Sequence, residues 1–73
     1  MKCSEFFAFV SRYDLEYVFE ADEDYWGVII PLDLLYEVPS EGDYFSFGPL
    51  NGYCTFVDWE MREVGMQVDL DDY

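Results

Sequence analysis

Hydrophobic and polar positions alternate with a period of two through much of this chain, the spacing of side chains on opposite faces of a β-strand. The stretch from Pro39 to Asp72 carries the pattern most plainly. Gly42-Asp43-Tyr44-Phe45-Ser46-Phe47 predicts one strand, Gly48-Pro49-Leu50-Asn51-Gly52 a turn, and Tyr53 to Met61 a second strand. In that second strand Tyr53, Thr55, Val57, Trp59 and Met61 share a face, and Asp58 and Glu60 point the other way. A last strand starts at Gly65, with Met66, Val68 and Leu70 opposed to Gln67, Asp69 and Asp71. The pattern predicts a sheet with aromatic groups inside and carboxylates outside.

The first half is read the same way. Phe6-Phe7-Ala8-Phe9-Val10 is too short for its period to separate strand from helix; its β-favouring residues predict a strand, against Ser4 and Glu5 as a helix start. Tyr13-Asp14 then reads as a hairpin turn without the usual glycine. From Leu15 to Asp24, Tyr17, Phe19 and Ala21 lie on one face, and Glu16, Val18, Glu20 and Asp22 on the other. Tyr25 to Ile30 predicts a buried strand, and Pro31 opens a short helix over Leu32–Glu37 that Val38-Pro39-Ser40-Glu41-Gly42 breaks. The expected architecture is one β-rich domain, all-β or α+β, over residues 1–73. About six short strands and one short helix would form a small twisted antiparallel sheet or an SH3-like barrel.

Composition sharpens this picture. At 73 residues the chain is near the lower limit for a self-sufficient core, and an aromatic share of 22% supplies the bulk that offsets its size. Seventeen Asp and Glu face three Lys and Arg, giving −14 with no His. Self-repulsion at that density opposes folding, so solubility alone does not account for it. Direct nucleic-acid binding and an anionic membrane are excluded as partners by the same sign of charge. The absence of a signal-like apolar run predicts a cytoplasmic protein with Cys3 and Cys54 reduced.

Candidate chemistry is sparse. Without His, and with one Lys, no nucleophile has a base to activate it, so an enzyme is not expected. Asp22-Glu23-Asp24-Tyr25-Trp26-Gly27 starts like an EF-hand loop but places Trp26 where an oxygen ligand is needed and Asp33 at the twelfth position. No metal or cofactor is expected. The remaining constellation is the carboxylates themselves. On strands, acids two residues apart repeat at roughly 6.6 Å, a spacing suited to imitating a phosphate backbone. The candidate partner-binding residues are Glu16, Glu20, Asp22, Glu23, Asp24, Tyr25, Trp26, Asp58, Glu60, Asp69, Asp71 and Asp72. Exposed aromatics among Tyr25, Trp26, Tyr36, Tyr44 and Tyr73 would anchor such an interface, with a homodimer seam as the alternative use.

In size, charge and lack of catalytic motifs the chain resembles the small acidic DNA-mimic inhibitors encoded by phages and mobile elements. These include anti-CRISPR proteins, uracil-DNA glycosylase inhibitors and anti-restriction proteins. Val28-Ile29-Ile30-Pro31, the short helix, and Pro39-Ser40-Glu41-Gly42-Asp43 before a strand are similar to the element order of the glycosylase inhibitors. The Glu-Ser-Ile strand that those inhibitors present is not found here. Val38 to Tyr44 with Tyr53 to Trp59 resembles small SH3-like barrel proteins. The resemblance implies a stoichiometric inhibitor, most simply an anti-CRISPR, acting in an infected bacterial host. Its partner would be a basic nucleic-acid-binding protein: a Cas effector, a DNA glycosylase or a nuclease. The alternative is a phage adaptor or assembly module whose acidity serves solubility.

Overall fold

The computed structural model describes residues 3–20 and 25–69. A helix, α1 (Cys3–Arg12), is followed by five strands: β1 (Glu16–Glu20), β2 (Tyr25–Pro31), β3 (Tyr44–Phe47), β4 (Leu50–Asp58) and β5 (Glu63–Val68). They form one antiparallel sheet in the order β1-β2-β5-β4-β3. The sheet stays open, with β1 and β3 at its edges, so of the two expected architectures the small antiparallel sheet and not the barrel is formed, with its one helix at α1 and not at the expected Leu32–Glu37. The sixth strand expected at Phe6–Val10 is α1 instead. Phe6 and Val10, four residues apart on one helical face, are fully buried, and Phe9 packs beside them on Phe47 at 5.5 Å. An apolar sheet face needs a cover, and this ten-residue segment supplies it.

Tyr13-Asp14 is therefore a helix end. Leu15 N–H donates to the Val10 carbonyl and Asp14 N–H to the Ser11 carbonyl, and Asp14 takes a left-handed φ of 54°. These are the two bonds of a Schellman cap, and its apolar contact joins buried Leu15 to buried Val10.

Beneath α1 the sheet offers Trp26, Val28 and Ile30 from β2, Val64, Met66 and Val68 from β5, and Leu50 and Cys54 from β4. Phe45, Phe47 and Val57 pack against that core partly buried. The alternation of β5 follows expectation. That of β4 does not, because the register slips between Cys54 and Phe56, leaving Thr55 as an extra residue. Before the slip Leu50 and Cys54 face the core and Tyr53 faces out; after it Val57 faces the core. The strand ends at Asp58, so Trp59 and Met61 sit exposed in the β4–β5 turn, not inside. The turn between β3 and β4 is likewise shorter than expected, two residues with Gly48 at φ 59°, since Phe47 already pairs with Leu50. Pro31 is followed by a single 3-10 turn, Leu32–Leu34, which buries Leu32 and ends before the expected Glu37. Cys54 is free, and its buried thiol donates to the Phe56 carbonyl at 3.4 Å.

Candidate partner-binding face

With α1 on one side, the other side of the sheet is open. Strand alternation brings to it Glu16, Val18 and Glu20 from β1, Ile29 from β2, Tyr44 and Ser46 from β3, and Tyr53 and Phe56 from β4. Gly27 and Gly65 lie in the central strands of this face and leave no side chains there. Beside them is a trough of about 270 Å³ walled by Val18, Ile29, Thr55 and Phe56. Tyr44 and Tyr53 form an edge-to-face pair with ring centroids 5.0 Å apart across β3 and β4, about half exposed. The trough and the tyrosine pair make much of the open face apolar, with exposed Gln67 of β5 between Gly27 and Tyr53.

Carboxylates stand around it. Glu16 and Glu20 occupy the β1 edge, four residues apart and so roughly 13 Å on an extended strand. Asp58 pairs in register with Glu63 at the end of the β4–β5 hairpin. One Asp58 oxygen accepts from the Glu60 and Met61 amides, which ties the turn. Asp69 follows β5 at the opposite end, its amide donating to the Asn51 carbonyl. Glu60 belongs to the turn and not to the strand face. The expected cluster is therefore spread: Glu16 and Glu20 come together on β1, while Asp58 and Asp69 lie at opposite ends of β5, about 20 Å apart by strand rise.

Asp22, Glu23, Asp24, Asp71, Asp72 and Tyr73 lie outside the described residues, as does the side chain of Tyr25. Trp26 is a correction. Its ring is buried between Phe6, at 5.2 Å, and Phe19, stacked at 4.1 Å, so it is core and not an anchor for a partner. Its indole Nε1 is buried without a hydrogen-bond partner among the described residues. Tyr36 and Tyr44 are exposed, as expected.

Sequence reading missed Glu63, and it missed the trough. The signal for the trough was there: two glycines inside strands mark places where a neighbour approaches closely.

No family model, curated protein or solved structure matches this chain.

Among the described residues no group of metal-ligating side chains could hold an ion, and no helix is long and apolar enough to cross a membrane. No charged residue is among the buried ones described, and the single ion pair there, Arg62 to Asp33 at 3.4 Å, is largely solvent-exposed. Burial pushes the Cys54 thiol pKa above its ordinary value, opposed by the Phe56 carbonyl bond and reinforced by Glu41 and Asp43.

Proposed function

We propose that this protein is a non-enzymatic, stoichiometric inhibitor that occupies the nucleic-acid site of a bacterial defence or repair protein, its carboxylates standing where phosphates would lie. The observation that carries this reading is charge left uncompensated at the surface. The chain holds −14, and no described carboxylate is buried. A partner with a basic groove gains both steering and charge pairing from such a surface. A Cas effector, a glycosylase or a nuclease offers that groove, and an anti-CRISPR role fits it most simply.

The test is affinity capture from a bacterial lysate at low salt, with bound protein eluted by duplex DNA and identified by mass spectrometry. A nucleic-acid-binding protein released by DNA is the expected result. A partner that DNA does not displace would overturn it.

The apolar trough favours a second reading, an adaptor or assembly module whose acidity keeps it in solution. Replacing Glu16, Glu20, Asp58 and Asp69 together by their amides separates the two. Inhibition by mimicry is lost in that variant, whereas docking through the trough is retained.

A further inference from the structure

We infer that β1 is a docking edge that takes an extended segment of the partner as a sixth strand, one with basic residues at its ends and an apolar residue between them on the open face. This rests on the reading above that the partner is basic, and it gives that partner a backbone geometry.

The edge is unusually free. All five residues from Glu16 to Glu20 are exposed, β1 pairs with β2 in regular register, and no other strand among the described residues lies on its outer side. Proteins ordinarily blunt such an edge with charged side chains, lysine above all, with proline or with a bulge, because unpaired amides and carbonyls recruit other chains. Of these β1 has only its two terminal glutamates, which repel an acidic strand and attract a basic one. What it carries is a pattern. On the open face Val18 sits between Glu16 and Glu20, beside the trough it helps to line. On the helix face Tyr17 and Phe19 are about half exposed, Tyr17 against Phe7 at 5.3 Å and Phe19 stacked on Trp26. An incoming strand would meet apolar groups at the centre of both faces and carboxylates at both ends of one.

Charge decides the occupant. A second copy pairing antiparallel through the whole strand would centre on Val18 and set Glu16 against Glu20 twice. Like charges directly opposite destabilise a strand pair. A segment with Lys or Arg at those two positions replaces both repulsions with attractions. The opposite edge makes no such choice, because β3 (Tyr44–Phe47) contains no charged residue.

The probe is a soluble peptide, acetyl-Lys-Thr-Val-Thr-Lys-amide, titrated into the isotopically labelled full chain and followed by amide chemical shifts. Saturable shifts centred on Glu16–Glu20 are expected, with no comparable response to a Glu-flanked control, acetyl-Glu-Thr-Val-Thr-Glu-amide. In E16K/E20K the preference should invert, the Lys-flanked peptide losing roughly tenfold in affinity. If that variant does not fold, E16Q/E20Q reads the same loss at smaller size. A peptide N-methylated along one edge keeps the charge and loses the backbone bonds, and it should not bind.

Equal binding of the N-methylated peptide would overturn strand addition and leave charge-driven inhibition standing. No binding of either charged peptide, with the glutamates merely guarding the edge, would overturn it too, as would concentration-dependent self-pairing through β1. Conversely, strand addition with a captured partner that binds no nucleic acid would sink the inhibitor reading alone.

Discussion

Gly65 lies opposite Phe56 across the β4–β5 pair, and the space its missing side chain leaves is filled by the Phe56 ring and the Thr55 hydroxyl. The bulge at Thr55 and the glycine that faces it are one device. The extra residue turns both Thr55 and Phe56 toward the open face, and only a glycine on the neighbouring strand lets them lie down there.

Gly65→Ala should therefore destabilise the protein by about 1–3 kcal/mol, the usual range for overpacking. Part of that loss should disappear in the Phe56→Ala background, because the partly exposed ring is the nearer of the two obstacles and the Thr55 hydroxyl the other. Chemical denaturation of the two single variants and the double variant measures the coupling. Equal costs of Gly65→Ala in both backgrounds would show that the ring is not what the methyl meets. Gly52→Ala should cost more and show no such rescue, since its added carbon would meet the Gln67 backbone carbonyl, which cannot swing aside.

At the end of α1, Asp14 holds a left-handed conformation that glycine adopts without strain. Asp14→Gly should stabilise the fold by roughly 0.5–1 kcal/mol. In a domain of this size that is a rise of about 2–8 °C in Tm. An unchanged or lower Tm in differential scanning calorimetry would show that the Asp14 side chain contributes more than its backbone costs.

Salt should stabilise this protein. The net charge of −14 repels itself across a small body, and raising ionic strength from about 10 mM to about 150 mM shortens the screening length from ~30 Å to ~8 Å. Melting temperature should climb over that range, with most of the gain at the low end. The one described ion pair, Arg62 with Asp33, is too exposed for its screening to reverse the trend.

Cys54 should be inert toward thiol reagents in the native state, since it is 2% exposed and burial, the largest cause, raises its pKa. The linkage has a definite sign. The fold binds the thiol proton more tightly than the unfolded chain does. This contribution to stability is full below the unfolded thiol pKa of about 8.5 and is lost as pH rises through the folded value. Cys54→Ala should remove that alkaline slope from a plot of stability against pH, while leaving a cavity cost at neutral pH. Alkylation as fast as that of a free thiol would contradict the burial.

The edge-to-face pair of Tyr44 and Tyr53 sits on the open face of the sheet, each ring about half exposed. Tyr44→Ala with Tyr53→Ala should change stability by no more than about 1 kcal/mol, the size of an exposed cross-strand pair. Capture of the partner should weaken if the open face is the interface, and persist unchanged if another face is.

Much of the strand content was legible in local pattern. Val64, Met66 and Val68 alternate with Gly65 and Gln67 as a half-buried strand must, and Pro31 stops β2 because it lacks an amide and fixes its φ. The charge was legible in the same way, as were Glu16 and Glu20 on one face of β1, since a period of two needs no distant partner. Three things were not. Whether Phe6–Val10 is strand or helix depended on which surface needed covering, and five residues hold too little periodicity to say. The outward Tyr53 depended on the Thr55 bulge, which shifts the phase of β4 by one residue and is set against Gly65 on another strand, and the exposed Trp59 and Met61 on the turn that ends β4 at Asp58. The burial of Trp26 depended on Phe6 and Phe19 arriving from either side of its ring. Local alternation determined which segments would be strands and where charge would sit. Tertiary contact alone decided which face was covered, which was left open, and where the apolar trough formed, because each of those depends on residues far apart in the chain.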